Sequence, residues 1–253
     1  WPAAKLAGYD WSGVMEGYRY YGFGYTALLT PFFLLIRDPA VLYKTLVVLM
    51  ALFQSLTAPL VCYLMKRFFH VTNPLRRIIS GIVCSFCVAL RAVYTYPEFL
   101  YDFLIWSIVW ILLILTEKAS LKWTIFLWVV TGYAITVHSR GITLVFAILA
   151  AAVLYQIWFK KPLLDWRVTI VLAVAALLFY KFGIQFVLNY LGMNRPVGNT
   201  SVTVKSGTLS LFLGEPKSWI SWFYIILGQL NEGIMMSAGL AVPAVWILMK
   251  MFF

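Results

Sequence analysis

Charged residues are scarce in this sequence: Asp, Glu, Lys and Arg make up 11% of its 253 residues, and His occurs twice. Soluble domains carry about a quarter charged residues and roughly half apolar ones. Here 63% of the residues are hydrophobic, which excludes an ordinary soluble domain and predicts a polytopic membrane protein. The chain begins at Trp1 rather than Met, without a signal peptide, so we expect a fragment that lacks its natural N-terminus.

Metal-binding side chains are also few. Cys62, Cys84 and Cys87 all lie inside apolar runs, and no second cysteine pair or nearby His completes the C-x-x-C of Cys84 and Cys87. We interpret the three as small apolar residues. No compact His, Asp and Glu set occurs, so the sequence predicts no certain cofactor and leaves a divalent metal open.

Acidic residues are the minority charge, nine against 20 Lys and Arg, for a net charge of +11. The basic residues are spread between apolar spans rather than gathered on one face, so we expect no nucleic-acid partner. They collect at 66–77, 117–122 and 160–167, whereas 96–102 and 138–141 hold one Arg between them. By the positive-inside rule, the first three loops face the cytoplasm and the other two face outside.

Long apolar runs are abundant and predict about seven transmembrane helices. A crossing needs roughly 20 residues, so the short third and fourth runs borrow residues from adjacent loops or lie in a thinned region. The predicted fold is an all-α polytopic membrane protein. The runs are Val41–Met65, Ile78–Tyr96, Tyr101–Leu115, Trp123–Val137, Gly141–Phe159, Val168–Leu191 and Trp219–Met249.

The predicted organisation is an external loop over 1–38 and a single transmembrane bundle over 39–253. Gly24–Ile36 is apolar but too short to span, and it contains Pro31, which favours a re-entrant or interfacial helix. The preceding stretch 8–25 is rich in Tyr and Gly. An aromatic belt at the membrane surface explains part of it, but not its three charges, Asp10, Glu16 and Arg19.

Polar residues gather at one predicted depth, in the outer half of the spans and the outer loops. Intramembrane charges are costly and usually face a bundle interior or a water-filled cavity, so we predict an outward-opening polar cavity. Arg91 lies near the same predicted surface. The other members are Asp10, Glu16, Arg19, Glu98, Asp102, His138, Arg140, Arg195, Lys205 and Glu232.

The stretch "ITVHSRGITLVF" (135–146) interrupts an apolar region with His138, Ser139 and Arg140. One interpretation is a short external turn whose Arg140 binds lipid phosphate, since Arg near helix ends commonly extends to the interface. The other is an anion site, because Arg offers a fork of donors suited to phosphate and His adds a donor that can shuttle protons.

A family resemblance rests on four stretches in order: "GYDWSGV…YYGFGYTALLTPFFLL", "YTYPEFLYD", "GYAITVHSRGITLVFAILAAAVL" and "ILGQLNEGIMMSAGLAVPAVWIL". Together they resemble the C-type (GT-C) membrane glycosyltransferases, especially bacterial members with a Gly- and Tyr-rich first external loop. The chain is more distantly similar to protein O-mannosyltransferases and the lipid A aminoarabinose transferase. The resemblance spans nearly the whole chain, and it depends on order and topology more than on any single motif.

This resemblance implies a GT-C-like bundle in the cell membrane with its active site outside the cytoplasm. Such enzymes transfer a sugar, usually with inversion, from a polyprenyl-phosphate donor to a lipid, an envelope glycan or a protein. A first-loop acidic residue acts as general base or helps to hold a metal, which makes Asp10 the catalytic candidate. The alternatives are a base upstream of Trp1 and a capping Asp. His138 and Arg140 would bind the donor phosphate.

Further residues are candidates for the cavity or substrate site. Tyr20 and Tyr21 would stack on a sugar or anchor at the interface, and Glu98 either lines the cavity or begins a helix after Pro97. Glu232 interrupts the last apolar run. Asp102 and Arg195 complete the set. A transporter or flippase for lipid-linked or anionic substrates is the alternative function, although no internal repeat supports it.

Overall fold

A computed structural model describes residues 2–9, 23–86, 97–183 and 186. Every regular element in these ranges is helical. The helices are α1 (Pro2–Leu6), α2 (Phe23–Leu35), α3 (Pro39–Arg67), α4 (Pro74–Phe86), α5 (Glu98–Glu117), α6 (Leu121–Val137), α7 (Ile142–Phe159) and α8 (Trp166–Leu178). A 3₁₀ turn covers Ser139–Gly141, and a π-helical turn, Phe179–Gly183, continues α8.

Four of these segments are long and apolar enough to cross a membrane: α3, α5, α7 and Trp166–Gly183. The helical membrane character predicted from composition is therefore confirmed. The expected span Trp219–Met249 lies outside the described residues.

The predicted short runs differ in how they reach a spanning length. α5 has 20 residues, because it extends the apolar run Tyr101–Leu115 into Glu98 and Glu117. This borrowing from the adjacent loops was expected. α6 has 17 residues, about the lower limit for a crossing. α2 is a 13-residue helix with Pro31 inside it, which confirms a short helix in the predicted first loop.

The chain forms two compact units. The first unit comprises 1–46 and 107–212, and the second comprises 47–106 and 213–253. Within the first unit α6 is the central element, since it packs against α2, α7 and α8. The 3₁₀ turn contacts both α6 and α7.

α6 and α8 are in contact, and both helices bury small side chains. Thr124 and Thr131 of α6 and Thr169 of α8 are fully buried, and Ala173 is 5% exposed. Small residues let membrane helices approach closely, where packing has to replace the hydrophobic effect as the cause of association. α8 begins at a capped end, because Oδ1 of Asp165 accepts hydrogen bonds from the first backbone N–H groups of the helix.

Most hydroxyl groups in these helices are satisfied by their own helix. The hydroxyl of Thr131, for example, donates to the carbonyl oxygen of Leu127 at 2.8 Å. Such bonds to the carbonyl three or four residues earlier remove the cost of an unpaired hydroxyl in an apolar medium. The same kind of bond is made by Thr30, Thr45, Thr57, Thr116, Thr124 and Thr136.

In the second unit α3 and α4 form a hairpin with a close crossing. A Cβ at Gly81 would lie 2.7 Å from the carbonyl oxygen of Ala58 and 2.8 Å from Sγ of Cys62, so only Gly fits at this position. The side-chain amide of Gln54 donates to the carbonyl oxygen of Ser85 at 3.0 Å. Both contacts hold α4 against one face of α3.

Candidate functional site

The polar interruption predicted to form an anion site is a tightly bonded turn between α6 and α7. The backbone N–H of His138 donates to the carbonyl oxygen of Ala134 at 3.0 Å and so ends α6. The carbonyl oxygen of His138 accepts from Gly141 at 2.8 Å, which closes the 3₁₀ turn. The hydroxyl of Thr143 then donates to the carbonyl oxygen of Arg140 at 2.7 Å. These hydrogen bonds fix the backbone of the turn at Arg140.

Gly141 brings the turn back onto the end of α6. A Cβ at this position would lie 2.6 Å from Cα of Ile135 and 2.7 Å from the carbonyl oxygen of Ala134. No backbone atom can yield that much space without moving a helix. The requirement here is close approach, since φ at Gly141 is −55° and would suit any residue.

The imidazole of His138 is part of the same turn. Its Nδ1 accepts a hydrogen bond from the backbone N–H of Arg140 at 3.1 Å, so the ring proton lies on Nε2. The side chain is 9% exposed. Burial, and secondly the nearby Arg140 guanidinium, lower the pKa of His138 to about 4. His138 is therefore neutral at pH 7, and it can offer a phosphate a neutral donor but no positive charge.

α2 docks against α6 one turn before this histidine. The phenolic hydroxyl of Tyr133 donates to the carbonyl oxygen of Gly24 at 3.2 Å. Gly24 lies so close to Thr136 that a Cβ at position 24 would overlap its hydroxyl. The first turn of α2 is thus fixed beside the last turn of α6.

α1 also belongs to this arrangement, because it packs against α2. Ala3 and Ala4 are buried, and the turn after α1 contains Gly8, whose φ of 87° is a conformation that Gly adopts at little cost. Within the predicted first loop, α1 and α2 are therefore packed together, and α2 joins them to the end of α6.

The structure brings some of the predicted site residues together, while others lie outside the described residues. His138 and Arg140 share one turn of the first unit. Glu98 and Asp102 lie one turn apart on α5 in the second unit, both half-buried. Glu98 is the first residue of α5, where the helix dipole favours a negative charge. The interpretation of Glu98 as a residue that begins a helix therefore agrees with its position. Outside the described residues lie Asp10, Glu16, Arg19, Tyr20, Tyr21, Arg91, Arg195, Lys205 and Glu232.

Sequence reasoning missed the residues that position the turn. Gly24, Tyr133 and Thr136 fix α2 beside α6, and Gly141 lets the chain fold back onto it. The signal available was weak, because Tyr and Gly are common in membrane helices and their interfaces whether or not a site lies nearby.

The described residues contain no group of three or more His, Cys, Asp or Glu side chains that could hold a metal ion. Comparison with known proteins finds no family model, no curated protein and no solved structure that matches this chain.

Proposed function

We propose that this chain is the catalytic bundle of a multi-pass membrane glycosyltransferase of the C type, which transfers a sugar from a polyprenyl-phosphate donor on the outer face of the membrane. The proposal includes about seven crossings and the orientation given by the Lys and Arg distribution. It rests first on the order of the four sequence stretches that resemble this family.

The structural observation that supports it most is the docking of α2 beside the His138–Arg140 turn. Asp10 directly follows Tyr9, and Tyr21 precedes Phe23 by two positions. Chain connectivity therefore tethers the first-loop candidates to the packed elements α1 and α2. A carboxylate for the acceptor and a guanidinium for the phosphate are the two groups that this transfer needs.

In the proposed reaction the acceptor hydroxyl oxygen attacks the anomeric carbon of the donor sugar. The bond from that carbon to the phosphate oxygen breaks, and polyprenyl phosphate leaves with the electron pair. The hydroxyl proton passes to the Asp10 carboxylate. Arg140 offers its fork of N–H donors to the phosphate oxygens, where negative charge develops. His138 contributes a neutral Nε2–H donor to the phosphate.

Reconstitution of the full-length protein in liposomes with a radiolabelled polyprenyl-phosphate sugar tests this function. We expect label to appear in an acceptor and Arg140→Ala to reduce the rate by at least tenfold. Arg140→Lys should restore part of it, because an ammonium group keeps the charge but not the fork. Arg167→Ala, which removes an exposed charge at the start of α8, is the matched control and should keep the wild-type rate.

The same liposomes separate transfer from transport. Movement of intact donor across the bilayer, without cleavage of the sugar–phosphate bond, would favour the flippase alternative and contradict the glycosyltransferase. Wild-type transfer by Arg140→Ala would remove Arg140 from the phosphate site.

A further inference from the structure

The hairpin between α3 and α4 gathers basic residues that the proposed reaction does not use. Lys66 and Arg67 lie in the last turn of α3, and Arg76 and Arg77 lie in the first turn of α4. The sequence contains no Asp or Glu between Asp38 and Glu98. The four cations therefore have no carboxylate near them in the chain.

The two pairs differ in their relation to the helix dipoles. Positive charge is favourable at the C-terminal end of a helix and unfavourable at the N-terminal end. Lys66 and Arg67 are explained by the dipole of α3. Arg76 and Arg77, in contrast, lie at the positive end of α4, whose first turn has no acidic residue. Their position calls for a negative partner.

The backbone around these arginines is fixed. Oδ1 of Asn73 accepts from the N–H groups of Leu75 at 2.9 Å and Arg76 at 3.3 Å, and Sγ of Cys62 donates to the carbonyl oxygen of Arg77 at 3.1 Å. The side chain of Arg77 is half-buried, and within the described part of the chain its buried Nε has no hydrogen-bond partner. A guanidinium N–H that is removed from water without an acceptor is costly, so an acceptor is expected there.

An apolar surface runs along α4 from the same first turn, away from the side that carries Gly81. Its side chains follow the spacing of one helix face, and they are 47% to 62% exposed, whereas the Gly81 side of α4 packs on α3. We call this surface the α4 ridge; it comprises Leu75, Ile78, Ile79 and Ile82.

We propose that Arg76, Arg77 and the α4 ridge bind one anionic phospholipid, with the lipid phosphate on the two guanidinium groups and the acyl chains along the ridge. The guanidinium fork matches phosphate oxygens, and basic residues beside membrane helices attract anionic lipids. A diffuse electrostatic attraction between basic residues and anionic lipids would act at every basic loop. The buried Nε of Arg77, which has no acceptor in the described part of the chain, distinguishes this one. The proposal is independent of the glycosyltransferase function and of the orientation in the membrane.

Thermal unfolding of the full chain in zwitterionic detergent tests the site. A lipid that binds the folded state raises Tm. We expect dioleoylphosphatidylglycerol to raise Tm more than dioleoylphosphatidylcholine, and Arg76→Gln/Arg77→Gln to abolish this difference. Lys118→Gln/Lys122→Gln is the matched control, because it removes two exposed charges, one from the loop after α5 and one from the first turn of α6. That control should keep the difference.

Three outcomes would overturn the proposal. Equal loss of the lipid response in both double variants would show diffuse attraction to basic loops. An equal rise in Tm with inorganic phosphate or glycerol phosphate would show a site for soluble phosphate instead. If the Gln double variant does not fold, Arg76→Lys/Arg77→Lys keeps the charge and loses the fork. We then expect affinity for phosphatidylglycerol to fall several-fold by titration, and unchanged affinity would also overturn the site.

Discussion

The hydroxyl of Tyr133 donates a 3.2 Å hydrogen bond to the carbonyl oxygen of Gly24, which lies 109 positions earlier in the chain. This bond ties the start of α2 to the end of α6, one turn before His138. It connects the predicted first loop with the turn that carries Arg140. Any change that separates α2 from α6 should therefore disturb both the predicted first loop and the turn that carries Arg140.

Gly24→Ala is expected to destabilise the protein, because the added methyl group would overlap Thr136. Overpacking of this kind costs about 1–3 kcal/mol, which over most of that range exceeds the gain in helix propensity of about 1 kcal/mol for Gly to Ala. Thermal unfolding in detergent measures the effect. Gly132→Ala in α6 is the control, since nothing lies within 4 Å of a Cβ there, and it should not lower Tm. Equal Tm for the two variants would contradict the close approach of α2 to α6.

His138 should make stability depend on pH. Its folded pKa of about 4 lies below the ordinary value of 6.5, so between these values the unfolded state binds a proton that the folded state does not. The contribution of His138 to the free energy of unfolding is then fully present above pH 6.5. It falls by about 1–3 kcal/mol as the pH decreases towards 4. Tm measured from pH 7.5 to 4.5 checks the direction.

His138→Asn separates this titration from the turn itself. The Asn side-chain oxygen can accept the N–H two residues later as Nδ1 of His138 does, but it does not titrate. We expect it to keep Tm at pH 7.5 and to lose most of the fall at low pH, whereas His138→Ala should lower Tm at both. An unchanged pH dependence in His138→Asn would assign the effect to other groups.

Asp10→Asn tests the proposed general base. Loss of such a base typically reduces the transfer rate by about 100- to 10,000-fold, while substrate binding changes far less. Asp38→Asn is the matched control: Asp38 caps α3 by accepting from Ala40 and Val41 at 2.8 and 3.0 Å, and Asn caps equally well. Near-normal turnover in Asp10→Asn would remove Asp10 from the proposed mechanism. Lowered Tm with intact turnover would indicate a capping role.

Cysteine labelling tests the predicted orientation. With a Cys at position 9 and another at position 166, in a chain whose own cysteines are replaced, an impermeant maleimide should label position 9 from outside and position 166 only from the cytoplasm. Labelling of both positions from the same side would show that the Lys and Arg distribution misassigns the loops.

Hydropathy predicted the described helices better than it predicted their contacts. The apolar run Tyr101–Leu115 gave the centre of α5, but its ends lie at Glu98 and Glu117, which resemble loop residues by composition. α6 is apolar on every side, so no periodic pattern indicates which face meets α2 or α8. The contacts of Gly24 and Tyr133 depend on shape, and neither hydrophobicity nor charge encodes shape at that scale. The turn at His138 was predicted because charge inside an apolar region is conspicuous.

The hydroxyl groups bonded within their own helices have a consequence for synthesis. A membrane protein enters the bilayer during translation, before all of its helices exist. Thr57 in α3 and Thr131 in α6 already have their acceptors one turn earlier in the same segment. Such a segment can leave the translocation channel for lipid without waiting for a neighbour to satisfy it. The contact between α2 and α6 is different, because Tyr133 finds the carbonyl oxygen of Gly24 only after more than a hundred further residues have been made. The hydroxyl groups of Thr57 and Thr131 thus need no other helix during insertion, whereas the turn that carries Arg140 is supported by α2 only after α6 has been made.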